Sequence, residues 1–152
     1  MRLVVKGRAW KLGDNVNTDL IIPGPYLILR DIDRMASHVL EGAVSNFAEK
    51  VQPGDTIVAG TNFGCGSSRE IAPFLLKHLK VGAVVAESFA RIFFRNAINI
   101  GLPVVQCKDI TEKVEDGQQL EVDLTSGRIK NLSRGEAYQG TRLPEFLLEV
   151  IE

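Results

Sequence analysis

The sequence feature that decides the fold is the stretch TIVAGTNFGCGSSREIAPFLLKHLKVGAVVA, which spans residues 56–86. Its first four residues are mostly apolar and β-branched and follow a Pro-Gly-Asp turn, which predicts a buried strand at 56–59. A glycine-rich loop follows at 60–70, then helical spacing at 70–79 and a second apolar run at 83–86. Strand, loop, helix and strand in this order predict a right-handed crossover unit.

The flanking sequence adds elements on both sides of this unit. Turn-forming residues at 13–25 predict an ordered loop, and apolar spacing at 33–47 predicts a helix that Gly42 weakly interrupts. The other predicted elements are strands at 3–10 and 104–106, a helix at 89–98, a hairpin of strands at 119–124 and 127–132, and a helix at 143–151. We therefore expect a mixed α/β fold that forms one domain across residues 1–152.

Composition and charge exclude several classes of function. The chain has 152 residues and 45% hydrophobic content, enough for one sizeable core. Its formal net charge of -1 and its scattered Lys and Arg residues give no basic stripe, so we expect no nucleic-acid binding. The apolar patch near Met1 is too short for a signal peptide or a membrane span, and we expect a cytoplasmic protein that does not enter a membrane.

The two cysteines predict that this chain holds no metal of its own. Cys65 and Cys107 lie far apart in sequence, without a CxxC pair or neighbouring His residues. This arrangement argues against a self-contained zinc or iron-sulfur site. Any metal chemistry must therefore come from a partner chain.

The glycine-rich loop carries the strongest chemical signal. Gly64 and Gly66 let the backbone approach a ligand, and a helix that begins beside Arg69 would direct its positive end at a carboxylate or phosphate. The alternative is that Ser67 caps the helix and Glu70 completes a capping box, which needs no ligand. The loop matches neither a Walker A motif nor the GxGxxG dinucleotide motif.

Four ordered segments resemble the swivelling domain of the aconitase superfamily. They are GCGSSRE at 64–70, NTDLIIP at 17–23, ESFARIF at 87–93 and the RNAINIGL segment at 95–102. The resemblance implies a single layered β/β/α swivelling domain. In this family the domain is either the last domain of a long enzyme or a separate small subunit, and a chain of this length resembles the subunit.

The resemblance also implies an activity that needs two chains. A large partner subunit would hold a four-iron four-sulfur cluster through three cysteines, and this chain would bind no cofactor. The reaction would be the dehydration and rehydration of a small hydroxy-dicarboxylate, with the cluster as Lewis acid. The isolated chain could also form a homo-oligomer.

Site residues follow from the same motifs, position by position. Ser67 matches the family's catalytic serine, whose alkoxide abstracts a proton next to a carboxylate. Arg69 matches the arginine that assists this serine and binds substrate, and Ser68 supplies a second hydroxyl. Asp19 matches an active-site aspartate, although an Asp in this setting is more often a turn or cap residue. Ile71 departs from the histidine that many relatives have there.

A specificity loop is implied at residues 26–30, where Tyr26, Leu27, Ile28, Leu29 and Arg30 are the candidate substrate contacts. Homoaconitase-type subunits tend to have an arginine where this chain has Ile28, and isopropylmalate-type subunits have an apolar residue. The resemblance therefore implies the interconversion of 2-isopropylmalate and 3-isopropylmalate in leucine biosynthesis.

Three alternatives to this function stay open. They are a homoaconitase-type subunit, a subunit acting on dimethylmalate or methylmalate, and a non-catalytic anion-binding module. The loop residues could merely anchor the segment to the core. Four further polar residues are interpreted as structural, namely Arg91, Arg95, Asn96 and Asn99.

Overall fold

The computed structural model describes residues 3–66 and 69–151. The strands in these residues are β1 Val4–Lys11, β2 Thr56–Ala59, β3 Ala83–Ala86, β4 Val104–Gln106, β5 Gln119–Asp123, β6 Arg128–Asn131 and β7 Glu136–Gln139. The helices are α1 Thr18–Ile21, α2 Ile32–Ala36, α3 Phe47–Lys50, α4 Ile71–His78, α5 Arg91–Ile100, α6 Ile110–Lys113 and α7 Glu145–Ile151, and a 3-10 helix spans Gly24–Ile28.

Strand β1 joins a parallel and an antiparallel region. The strands hydrogen bond in the order β4-β3-β2-β1-β5-β6-β7. Residues 9–11 of β1 pair in parallel with β2, whereas residues 4–8 pair antiparallel with β5. Strands β2, β3 and β4 are parallel to one another, and β5, β6 and β7 form an antiparallel ribbon.

Two hydrophobic clusters cover opposite faces of the parallel strands. Successive side chains of a strand point to opposite faces, so Ile57 and Val84 pack in the cluster that contains the buried sides of α4 and α5. Val58 and Val85 pack in the other cluster, together with Leu120 and other residues of the antiparallel ribbon. Ribbon, parallel strands and helices therefore form three layers, which confirms the β/β/α expectation.

The predicted helix at 33–47 is wrong over most of its length. Helix α2 ends at Ala36, and Leu40 and Asn46 both adopt the left-handed conformation, with φ of 57° and 58°. The Leu40 amide donates to the Ile21 carbonyl at 2.9 Å, a long-range bond that takes the place of helical pairing. Apolar spacing in this segment reflects burial in the hydrophobic cluster on the helical face of the parallel strands and not a continuous helix.

Other boundaries differ in smaller ways. The predicted loop at 13–25 contains α1, because the Asn17 side chain caps it by accepting from the Leu20 amide at 2.8 Å. Strand β7 and helix α6 are absent from the prediction. Strand β7 is mostly exposed, so it lacks an alternating apolar pattern, and α6 is only 4 residues long. The predicted strands and helices around the glycine-rich loop are confirmed within one or two residues.

Candidate active site

The glycine-rich loop is fixed to the NTD segment by backbone hydrogen bonds. The Thr18 amide donates to the Cys65 carbonyl at 2.8 Å, and the Gly64 amide donates to the Val16 carbonyl at 2.7 Å. Residues 17 and 65 thereby form an isolated parallel bridge. Two motifs that are nearly 50 positions apart in sequence meet at the carboxyl end of β2.

The same loop is fixed on its other side to the segment before α5. The Phe63 amide donates to the Ser88 carbonyl at 3.0 Å, and the Ala90 amide donates to the Phe63 carbonyl at 2.9 Å. Gly64 has φ of +84°, and a Cβ atom there would lie only 2.2 Å from Cγ of Phe93. Only glycine lets the loop pass this closely over the first turn of α5.

Ser67 and Ser68, the proposed base and the second hydroxyl, lie outside the residues that the structure describes. The chain is described again from Arg69, and α4 begins at Ile71 with Glu70 as its N-cap residue and no side-chain cap. The capping-box alternative would place Glu70 inside the first turn of the helix. Because Ser67 lies outside the described residues, this alternative stays a prediction.

Arg69 connects the glycine-rich loop to α1 and to the 3-10 helix. Its Nη1 donates to Oδ1 of Asp19 at 3.1 Å and to the Ile22 carbonyl at 2.9 Å. The Gly24 amide donates to the same Asp19 oxygen at 3.1 Å. The bond from Gly24, followed by the bond from Arg69, lowers the pKa of Asp19 below its ordinary value of 3.8.

A cavity of about 280 Å³ opens beside this arginine. All four motifs contribute to its wall, which consists of Thr18, Gly64, Gly66, Arg69, Ala90, Arg91, Ile92, Phe93 and Asn96. Its described wall therefore contains two guanidinium groups and no carboxylate. The N-terminus of α5 adds positive potential, because its N-cap Ala90 provides no side-chain acceptor. An anion of small-metabolite size suits this cavity.

Arg91 and Asn96 are wall residues that the sequence interpretation assigned to structural roles. Both belong to α5, whose first turn faces the cavity while Phe93 and Ala97 are buried in the core. An exposed Arg at the start of a helix and a half-buried Asn in its middle carry no chemical signature of their own. The only available signal was their place in segments that run beside the glycine-rich loop.

The predicted specificity loop lies next to Arg69, but its residues 26–30 do not line the cavity. A Cβ atom at Gly24 would lie 3.4 Å from Nη2 of Arg69, so the loop begins beside the guanidinium group. Leu27 and Ile28 are exposed, Ile28 by 83%. The Tyr26 ring stacks on His38 at 3.7 Å between ring centroids.

The two cysteines cannot form the ligand set that a cluster of this family requires. Cys65 is half-buried, Cys107 is buried in the second hydrophobic cluster, and both are free thiols. Burial raises the pKa of the Cys107 thiol. Within residues 3–66 and 69–151, no three His, Cys, Asp or Glu side chains are grouped to hold a metal ion. Across the same part of the chain, no helix is long and apolar enough to cross a membrane.

Comparison with known proteins agrees with this geometry. The aconitase C-terminal domain family matches residues 33–109. The isopropylmalate/citramalate isomerase small subunit of Methanocaldococcus jannaschii is 55% identical over 152 residues, which cover 100% of this chain and 90% of that protein. The methanogen homoaconitase small subunit of Methanothermobacter thermautotrophicus is 53% identical over 152 residues, or 100% of this chain and 88% of that protein.

A solved structure supports the same relationship. The crystal structure of 3-isopropylmalate dehydratase from Methanocaldococcus jannaschii superposes with a TM-score of 0.90 at 45% identity, covering 98% of this chain and 88% of that one. Sequence identity at this level over nearly the full length, together with the shared fold, shows common descent. The chain therefore belongs to the aconitase C-terminal domain family, among the small subunits of the 3-isopropylmalate dehydratases.

Proposed function

We propose that this chain is the small subunit of a hydro-lyase that interconverts 2-isopropylmalate and 3-isopropylmalate by dehydration and rehydration in leucine biosynthesis. The observation that carries the proposal is the convergence of four motifs around one cavity with Arg69 in its wall. Relatives named as small subunits of isopropylmalate enzymes support the substrate class. The name "small subunit" supports a partnership with a large chain.

Arg69 is suited to bind one carboxylate of the substrate. Its Nη1 is occupied by Asp19 and Ile22, which fixes the guanidinium plane. In this proposal its Nε and Nη2, which make no hydrogen bond within residues 3–66 and 69–151, bind the two carboxylate oxygens. A planar, fixed guanidinium group favours this bidentate contact over a single point charge.

Ser67 acts in this proposal as the base that takes the proton next to the bound carboxylate. A serine hydroxyl is a weak base, so its anion needs nearby positive charge and amide donors. Arg69 follows Ser67 by two positions in the sequence and supplies such a charge. Ser68 would donate a hydrogen bond to the substrate, and Asp19 holds Arg69 in place through the bond at 3.1 Å.

The chemistry at the departing hydroxyl group requires the partner subunit. The family's four-iron four-sulfur cluster supplies Lewis acidity there. This chain has 2 cysteines in all, fewer than the three thiolates that hold such a cluster, so we assign the cluster to the large subunit. The small subunit on its own would then bind no iron and dehydrate no substrate.

The apolar side chain of Ile28 supports a substrate with a branched alkyl group. Ile28 is 83% exposed in this chain, so the argument applies once the large subunit covers it. An additional carboxylate beside the covered residue would then lose hydration without gaining a partner, at a cost of roughly 2 kcal/mol or more. The homoaconitase name of one relative at 53% identity keeps a tricarboxylate substrate as the second candidate. The citramalate in the name of another relative indicates a smaller alkyl group as a third.

The substrate preference of the assembled enzyme tests the proposal. This chain would be combined with a cluster-loaded large subunit, and kcat/KM would be measured for isopropylmalate, citramalate and homoaconitate. We expect isopropylmalate to be the preferred substrate and Arg69→Ala to reduce turnover of all three. Preference for homoaconitate would overturn the substrate assignment. Lack of turnover with all three compounds would favour the non-catalytic anion-binding module.

A further inference from the structure

Three side chains form a compact cluster behind the specificity loop. The Tyr26 and His38 rings are nearly parallel, with 3° between their planes and 3.7 Å between their centroids. His38 Nδ1 lies 2.8 Å from Oε2 of Glu41, so the stacked imidazole connects Tyr26 to this carboxylate. Tyr26, His38 and Glu41 are called the tyrosine clamp below.

Tyr26 of the clamp lies in the middle of the 3-10 helix Gly24–Ile28, which carries the specificity loop. The Tyr26 amide donates to the Pro23 carbonyl at 3.1 Å, and the Leu29 amide donates to the Tyr26 carbonyl at 3.1 Å. Leu27 and Ile28, which lie between these bonds, are exposed. Within the described residues, the loop is therefore attached through the bond from the Gly24 amide to Asp19 and through the contact of the Tyr26 ring with His38.

The clamp also determines where Tyr26 itself points. Its ring covers His38, and the side chain forms no part of the cavity wall. The Glu41 carboxylate raises the pKa of Tyr26, and Tyr26, followed by His38, lowers the pKa of Glu41. Both directions agree with a phenol that lies close to an ionised carboxylate.

We propose that His38 and Glu41 are positioning residues that hold Tyr26, and through it the apolar pair Leu27 and Ile28, at a fixed place relative to Arg69. The guanidinium group of Arg69 lies beside Gly24, where the same 3-10 helix begins. This inference rests on the proposed function, because the fixed apolar pair selects among hydroxy acids by their alkyl or carboxylate substituents. Without the clamp, Ile28 would move relative to the guanidinium group. Discrimination would then fall more than the turnover of the preferred substrate.

Amide hydrogen exchange in the isolated full-length chain tests the clamp independently of catalysis. We expect His38→Ala to speed exchange at Tyr26 and Leu29 about fivefold or more, because stacking and the Glu41 bond are both lost. His38→Phe keeps a flat ring and should restore most of the protection. Unchanged exchange at both amides in His38→Ala would overturn the proposal.

His78→Ala is the matched control. His78 Nε2 contacts Asp33 at 2.7 Å and links α4 to α2 without touching Tyr26. The substitution His78→Ala removes the same residue type, and the same kind of contact with a carboxylate, as His38→Ala does, but from a neighbouring part of the chain. We expect exchange at Tyr26 and Leu29 to stay unchanged in this variant. An equal acceleration in both variants would mean that the segment is loosened generally, and the clamp would be refuted.

The kinetic readout uses the complex with the large subunit. We expect His38→Ala and Glu41→Ala to change the ratio of kcat/KM for isopropylmalate over homoaconitate by about threefold or more, with His38→Phe close to the wild type. Faster exchange with an unchanged ratio would restrict the cluster to a structural role and overturn the proposal. If the wild-type complex turns over neither substrate, the proposed function fails, and the exchange result is unaffected by that failure.

Discussion

At the scale of single residues, the contact between Arg69 and Asp19 is central to the site. The family resemblance predicted both residues for the site without predicting that they touch. Nη1 of Arg69 bridges Asp19 and the Ile22 carbonyl, which fixes the orientation of the guanidinium group. Arg69 is four-fifths buried by side-chain area, whereas Asp19 is 69% exposed. The arginine is therefore held from the solvent side by a carboxylate that stays hydrated.

The first prediction concerns the titration of Asp19. Its pKa should lie below 3.8, and Arg69→Ala should raise it only partway to that value, because the bond from the Gly24 amide is the larger cause. A lowered pKa stabilises the folded chain at pH above 3.8, and this contribution is lost as the pH falls through the folded-state value. Carboxyl NMR titration of the two proteins measures both values. A midpoint at or above 3.8 in the wild type would contradict the geometry.

The second prediction concerns Ser67, whose role follows from the resemblance alone. Ser67→Ala should reduce kcat of the assembled enzyme by about 100-fold or more while changing KM little, because it removes a base and keeps the side chain small. Steady-state kinetics gives both parameters, and circular dichroism of the variant checks its fold. Turnover within about threefold of the wild type would show that another group takes the proton.

The sequence identified site residues that lie in a motif with a chemical role. It did not identify residues whose part in the site depends only on where they lie in the fold. Asp19 and Arg69 were identified through motifs, and the structure brings them together. Arg91 and Asn96 line the same cavity but were interpreted as structural. Their part in the wall depends on the approach of α5 to Gly64, which no local sequence signal reveals.

At the scale of elements, the close packing between the glycine-rich loop and α5 shapes the cavity. Phe93 fills the space over Gly64, and its ring meets Phe63 edge to face at 5.2 Å between centroids. Phe63 is fully buried and anchors the loop in the core. The loop is thus held by its backbone and by one aromatic side chain while Gly64 and Gly66 line the cavity.

The third prediction tests this packing with one added methyl group. Gly64→Ala should lower the free energy of unfolding by about 2 to 5 kcal/mol, because it combines overpacking against Phe93 with a strained left-handed backbone. Urea unfolding followed by the fluorescence of Trp10, the only tryptophan in the chain, measures the change.

Gly13→Ala provides the control for the glycine change. No heavy atom lies within 4 Å of the position a Cβ atom would take at Gly13, and its φ is not in the left-handed region. The free energy of unfolding should therefore change by less than about 0.5 kcal/mol. A similar loss in both variants would mean that the close approach to α5 is not what restricts Gly64.

The fourth prediction concerns Ile28 in the specificity loop. Ile28→Arg should shift kcat/KM away from isopropylmalate and toward homoaconitate by about 10-fold or more, because a guanidinium group replaces an apolar contact and seeks a carboxylate. Leu132→Arg makes the same change at an exposed apolar residue that lies just after β6 and outside the cavity wall, and should leave the ratio alone. An unchanged ratio in Ile28→Arg would remove this residue from the specificity wall.

Predictions of elements were reliable where burial and turn chemistry agreed. The strands β2 and β3 are buried on both faces and bounded by turns, so composition alone identified them. The segment at 33–47 shows the opposite case, since its apolar residues are buried in the first hydrophobic cluster while left-handed residues at Leu40 and Asn46 break the helix. The tertiary bond from Leu40 to Ile21 decides that conformation, and periodicity cannot reveal it.

At the scale of the whole molecule, the layered arrangement presents the candidate site on one side of the parallel strands. The glycine-rich loop leaves the carboxyl end of β2, and the start of α5 follows β3. Exposed apolar residues border this side, including Ile28 and Ile92, the latter 51% exposed. A cavity bordered in this way fits a half-site that a large subunit completes, which agrees with the proposal that two chains together form the active site.

The central claim is that this chain supplies half of a dehydratase site, and the rate of isopropylmalate turnover as the chain is titrated into cluster-loaded large subunit tests it most directly. Neither subunit alone should turn over the substrate, and the rate should rise to a plateau at about one small subunit per large subunit. All of the iron should remain with the large subunit. Full activity of the large subunit by itself, or a rate that this chain leaves unchanged, would contradict the account.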